Sequence, residues 1–144
     1  HLGGRQYALG QSHKHLPEMV KLCGLKNAPV FSPIVVPHLS GMEVTVQVFA
    51  SELKGGLKAV KECYQAYYAN GGLVKYVDDS SEGGFLSSAA FSGRDDLEVA
   101  AYGNDERVIL VSRFDNLGKG ASGAAIQNMN IALGCDETTG LVVG

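Results

Sequence analysis

The chain has 144 residues, 12 Lys and Arg against 15 Asp and Glu, and a net charge of −3 with no run of basic residues. That balance argues against nucleic acid or an anionic membrane as partner, because phosphate binding needs clustered positive charge. Hydrophobic residues make up 45% and charged residues 19%, the composition of a globular domain long enough to bury a core without disulfide or metal.

In chain order, the opening His1-Leu2-Gly3-Gly4 reads as added residues or a cut end. His15 to Leu25 suits a helix started by Pro17, with Glu18 complementing the positive helix end. Met19, Leu22 and Cys23 would form its apolar face, and Gly24 would stop it. Val30 to Val36 is apolar and β-branched, but Pro33 and Pro37 interrupt it, which suits an edge or kinked strand. Met42, Val44, Val46 and Val48 alternate with Glu43, Thr45 and Gln47, the period of a half-buried strand. Ser51 is a candidate N-cap. Leu53, Leu57, Val60, Tyr64 and Tyr67/Tyr68 then recur at helical spacing, and Asn70-Gly71 ends the run.

A short strand over Leu73 to Val77 follows. Asp78 to Gly84 is turn-rich, and Phe85-Leu86 is expected to return to the core. Leu97 to Ala101 and Val108 to Val111, joined by Gly103-Asn104-Asp105-Glu106, predict an antiparallel hairpin with a buried second strand. The last element opens on Gly118-Lys119-Gly120-Ala121-Ser122-Gly123. It places Ala121, Ala125, Met129 and Leu133 on one helical face and stops at Gly134. Together these elements predict one α+β domain over 1–144, built on a mixed, mainly antiparallel sheet with helices packed on it. Cys23, Cys63 and Cys135 are widely spaced and form no C-x-x-C pair. With no stretch near the roughly 20 apolar residues of a membrane span and no leader pattern, a reducing cytoplasm is the expected setting.

Two constellations could carry chemistry. Ser12-His13-Lys14-His15-Leu16-Pro17-Glu18 gathers two imidazoles, an ammonium and a carboxylate at a junction leading into a helix. Three readings stay open for it: a metal site on His13, His15 and Glu18, a polar junction with His15 or Glu18 capping the helix, and a general acid/base site. Asp115-Asn116-Leu117-Gly118-Lys119-Gly120-Ala121-Ser122-Gly123 is a glycine-rich turn opening a helix. Such a turn either receives an anion or packs tightly against a neighbour. It lacks the order of a P-loop.

The run from Phe114 to Gly134, with Asp136-Glu137-Thr138-Thr139-Gly140-Leu141 after it, resembles the closing motif of N-acetyl-γ-glutamyl-phosphate reductases. His13-Lys14-His15-Leu16-Pro17-Glu18 independently resembles that family's H-[RK]-H-x-P-E motif. Pro33 to Val36 and Ser40-Gly41-Met42 fit the strand region between them, so the resemblance covers about Tyr7 to Leu141. It implies a carboxy-terminal domain like that of glyceraldehyde-3-phosphate dehydrogenase, serving substrate binding and dimerisation. It also implies an enzyme that reduces an acyl phosphate with NADPH to a semialdehyde in arginine biosynthesis, through a cysteine thioester.

By that motif His13 would be the acid/base, with His15 as the fallback, and Lys14 and Glu18 would lie on the substrate and phosphate side. Asn116, with Gly118 and Lys119, would meet the cofactor, and residues 115–135 would pack on a nucleotide-binding domain. No metal is implied, and a homo-dimer or tetramer is expected. The family's glycine fingerprint and its G-C-Y-P-T nucleophile motif are absent from this sequence. None of the three cysteines takes the nucleophile's place, and the chain alone is expected to be inactive. The parallel aminoadipyl-phosphate reductase of lysine biosynthesis and a non-catalytic assembly module are the competing readings.

Overall fold

A computed structural model describes residues 3–144; His1 and Leu2, half of the expected cut end, lie outside the described residues. Sequence reading takes 1–144 as one domain, whereas the contacts group into two compact units, 1–38 and 39–144.

In the first unit, β1 (Arg5–Gln6) pairs antiparallel with β2 (Ile34–Val35), Arg5 opposite Val35 and Gln6 opposite Ile34. The Tyr7 amide continues the pairing by donating to the Pro33 carbonyl at 3.0 Å. The expected strand over Val30 to Val36 is reduced to Ile34–Val35; Pro33 supplies no N–H to extend it, and in a two-stranded sheet it lies at an edge, one of the two expected forms. Helix α1 (His15–Cys23) ends on Gly24 in the left-handed conformation, φ 62°. The expected stop is correct, but the start and the apolar face are not. The helix begins at His15, two residues before Pro17. Leu16 is its buried side chain, while Leu22 and Cys23 are exposed and Met19 is half-buried.

The second unit is built on a four-stranded sheet in the order β3-β6-β5-β4. Strands β3 (Met42–Phe49) and β5 (Leu97–Gly103) both run antiparallel to the central β6 (Arg107–Phe114), and β4 (Val74–Tyr76) joins β5 in parallel. This is the mixed, mainly antiparallel α+β architecture expected. The predicted hairpin is present, and Ala100, Ala101, Val108 and Val111 form its buried centre with Leu73 and Phe91. The β5–β6 turn needs glycine at 103, because a Cβ there would meet the Arg107 carbonyl oxygen.

Helix α2 (Gly56–Tyr67) packs against β5 and sets Tyr64 edge-on to Tyr76 at 6.3 Å. Ser51 is not its N-cap. It lies in a 3₁₀ turn (Ala50–Glu52), and left-handed Gly55 opens the helix instead. The alternation along β3 is correct, yet Met42, Val44 and Val46 are 40–49% exposed rather than half-buried. β3 is an edge strand, and α2 lies toward β5, so nothing in this unit covers that apolar row. Phe85 is also exposed, and Phe91 supplies the core aromatic in its place. Past β6, a π-helical turn (Gly118–Ser122) leads into α3 (Gly123–Leu133), capped by Gly134 at φ 70°. Among the described residues no helix is long and apolar enough to cross a membrane.

Candidate active site

His13 is half-buried at the entrance to α1. The His15 amide at the start of α1 donates to His13 Nδ1 at 3.2 Å. The first N–H groups of a helix have no partner within the helix; the N-cap residue Lys14 makes no side-chain cap bond, and His13 Nδ1 serves the His15 amide from one residue further back. Neither His15 nor Glu18 caps the helix, the form in which the polar-junction reading was expected. In a neutral imidazole an accepting Nδ1 leaves the proton on Nε2.

Aromatic rings frame the imidazole. Phe31 lies 5.2 Å from it, Tyr7 5.6 Å in an edge contact, and His15 4.7 Å, also edge-on. Lys14 and Glu18 are exposed and make no ion pair among the described residues. His13, His15 and Glu18 do not converge into a group able to hold a metal ion.

In the second unit the turn after β6 is organised by Asp115, which is 2% exposed. Its carboxylate accepts from Ser40 Oγ at 2.7 Å, from the amides of Leu117 at 2.7 Å and Gly118 at 3.0 Å, and from the Gly93 amide. Ser92 Oγ completes the network 2.6 Å from Ser40 Oγ. Burial alone would raise the Asp115 pKa; the donors from Gly93, Ser40, Gly118 and Leu117 outweigh it and bring it down to about 2.

Asn116 is half-buried beside this carboxylate, and its Oδ1 accepts from the Gly41 amide at 2.9 Å. Its Nδ2 group makes no hydrogen bond among the described residues. Gly41 must be glycine, since at φ 110° its Cβ would fall on the Ser88 carbonyl.

Of the three residues expected to meet the cofactor, only Asn116 presents an uncommitted polar group. A Cβ on Gly118 would lie against the Arg94 carbonyl oxygen, and one on Gly123 against Asp95 Oδ1. These glycines allow close packing, the second of the two readings open for this turn. The Lys119 ammonium is engaged by Gln127 Oε1, and Gln127 Nε2 in turn donates to Glu137 at 3.0 Å.

The chain also carries a row of charges that sequence reading does not single out. Glu43, Arg113, Glu98 and Lys75 lie side by side across β3, β6, β5 and β4. Arg113 Nε donates to Glu98 Oε1 at 2.6 Å, both side chains being buried. Ser80 Oγ donates to the same oxygen at 2.8 Å. Fully buried Asp96 accepts from Arg94 Nε at 2.8 Å and from Lys75 at 3.4 Å. Apart from the local Arg94–Asp96 pair, two residues apart, these partners lie 15–21 residues apart, and no local spacing announces them. Asp115 did carry a signal, because an Asp that bonds the amide two residues on is a turn-forming residue. Cys23, Cys63 and Cys135 are all unpaired and exposed.

Comparison with known proteins places the chain. The profile of the semialdehyde dehydrogenase dimerisation domain matches residues 3–116. The N-acetyl-gamma-glutamyl-phosphate reductase of Allorhizobium ampelinum is 41% identical over 133 residues, covering 88% of this chain. Those of Brucella ovis and Brucella suis are 39% identical over 134 residues, covering 89%. The chain spans 43% of the length of each of these relatives. By the extent of the profile match and the sheet architecture together, the chain belongs to the semialdehyde dehydrogenase dimerisation-domain family.

Proposed function

We propose that this chain is the substrate-binding and dimerisation part of an NADPH-dependent reductase of arginine biosynthesis. That reductase would convert N-acetyl-γ-glutamyl phosphate to the semialdehyde and phosphate. The observation that carries the reading is the 41% identity across 88% of the chain to a relative with that reductase's name. The nucleophilic cysteine and the nucleotide-binding fold would come from residues outside this chain, so the chain alone is inactive, and the protein is cytoplasmic.

His13 is the acid/base group of this reading, and His15 is the fallback. Lys14 and Glu18, exposed on the same segment, face the substrate and its phosphate. Asn116 orients the nicotinamide of NADPH, which supplies hydride when bound. Gly118 and Lys119 act by shaping the turn that carries Asn116, since their polar groups are taken up by Asp115 and Gln127. Residues 115–135 pack on the nucleotide-binding domain; Ala121, Ala125, Met129 and Leu133 are an exposed face suited to that contact. The protein works as a homo-dimer or tetramer whose copies meet on the open apolar row of β3. That assignment rests on the exposure of Met42, Val44 and Val46 and on the family's dimerisation role.

The test is the intact protein, made with the proposed nucleotide-binding half. His13→Asn should lower turnover by about 10²–10⁴-fold if His13 transfers the proton. An unchanged turnover would move that role to His15 or elsewhere. No reduction of the acyl phosphate by the unsubstituted protein would favour the lysine-pathway substrate or the assembly role, and assay with an aminoadipyl phosphate separates those two.

A further inference from the structure

We propose that Gln11 is a positioning residue for His13. Its side-chain amide clamps the main chain at Phe31, and the Phe31 ring then holds the imidazole with Nδ1 on the His15 amide and Nε2–H presented as a hydrogen-bond donor. The inference rests on the reading of His13 given above and adds which residue fixes it and which atom it offers.

Gln11 Nε2 donates to the Phe31 carbonyl at 2.8 Å, and the Phe31 amide donates to Gln11 Oε1 at 2.9 Å. One side chain thus satisfies both main-chain groups of a residue 20 positions away. A primary amide does this as a strand neighbour would, so the clamp lengthens the short β1–β2 pairing toward the histidines. Gln11 holds a left-handed backbone, φ 54°, and the Gln11 amide donates to the Ala8 carbonyl at 3.0 Å to close the turn. A left-handed conformation is costly for a residue with a Cβ. Here it aims the side chain at Phe31 and starts the segment that delivers His13.

Phe31 contacts both imidazoles, at 5.2 Å to His13 and 6.4 Å to His15, and Tyr7 makes an edge contact with His13 at 5.6 Å. The clamp acts on the Phe31 main chain and the ring acts on His13, so the two halves of the device can be separated by substitution. A Nδ1 that accepts the His15 amide commits the neutral ring to a proton on Nε2. That end suits an oxygen on which negative charge develops, where a preorganised donor is most effective.

The experiment is nitrogen-15 and proton NMR on this chain, followed by kinetics on the intact protein. In the unsubstituted chain, neutral His13 should show an unprotonated Nδ1, a protonated Nε2 and ring protons displaced by their aromatic neighbours. Gln11→Ala should return those ring protons toward the positions of an unpacked histidine, while resonances of the β5–β6 hairpin stay fixed. Phe31→Leu keeps the main-chain clamp and should produce the same displacement. It decides the matter if Gln11→Ala disturbs the whole first unit.

Unmoved His13 resonances in either folded variant would overturn the proposal. In the intact protein Gln11→Ala should lower kcat about 10²-fold with little change in KM for the acyl phosphate. If the resonances move and neither Gln11→Ala nor His13→Asn lowers kcat, the clamp stands, and its catalytic role falls with that of His13. If His13→Asn lowers kcat and Gln11→Ala does not, the positioning claim alone fails.

Discussion

Asp115 shows how one buried carboxylate can hold a turn together. Its pKa lies near 2, below the 3.8 of an unperturbed aspartate. A depressed folded-state pKa means that its contribution is fully present above about pH 4 and is lost as pH falls toward 2. The shift corresponds to roughly 2 kcal/mol of stability. Urea unfolding of this chain between pH 5 and pH 2 should show that loss, and Asp115→Asn should lower stability at pH 7 by a similar amount and remove that part of the pH dependence. A variant as stable as the parent at pH 7 would mean that the four donors around Asp115 find other partners.

Arg113 and Glu98 make a second residue-level case. Removing one partner strands a buried charge, so Glu98→Gln should destabilise by about 3–5 kcal/mol, whereas Arg113→Met with Glu98→Leu should cost much less. A double-variant loss equal to the sum of the losses from replacing Glu98 and Arg113 singly, measured by urea midpoint, would show that the pair is not coupled.

At the scale of elements, two glycines bounding α3 are glycine for different reasons. Gly123 is buried, and its missing Cβ leaves room for Asp95. Gly134 has open space around it but a left-handed φ of 70°. Gly123→Ala should therefore cost about 1–3 kcal/mol through steric displacement of Asp95. Gly134→Ala should cost about 1 kcal/mol through backbone strain. Adding Asp95→Ala should recover part of the first loss and none of the second, as thermal melts would report.

The end of α3 at Gly134 and the β5–β6 hairpin were legible because glycines and alternating β-branched residues act locally, whereas the expected opening of that helix at Gly118 is a π-helical turn and α3 starts at Gly123. The start of α1 was not legible either, because its N-cap position holds Lys14, which makes no side-chain cap bond, rather than Ser, Thr or Asp. Likewise Ser51 has the chemistry of an N-cap, yet the chain takes a 3₁₀ turn there and reaches α2 through left-handed Gly55.

For the whole molecule, the unburied apolar surface is as informative as the core. Val44 and Val46, 43% and 49% exposed on an edge strand, form the surface proposed to join two copies. Val46→Lys should weaken self-association of this chain in sedimentation while leaving the sheet's circular dichroism intact. Unchanged association would place the contact on another face.

Sequence by itself determined the elements of the second unit, the α+β class and the segment holding His13. Each of these follows from periodicity, turn chemistry or a contiguous motif, which are properties of neighbouring residues. It also put Asn116 in a turn at the mouth of a helix. Only the tertiary structure decided which of those groups remain available. Asn116 Oδ1 is spent on Gly41 and the Lys119 ammonium on Gln127, while His13 Nδ1 is spent on the His15 amide. The charge row from Glu43 to Lys75 and the clamp of Gln11 on Phe31 likewise exist only once strands distant in sequence are in register. The physical reason is that a hydrogen bond is set by distance in space: local pattern carries no record of a partner twenty or seventy residues away, as for Gln11 with Phe31 and Asn116 with Gly41, and it leaves open the side-chain rotamers that set the short-range bonds of His13 to His15 and Lys119 to Gln127.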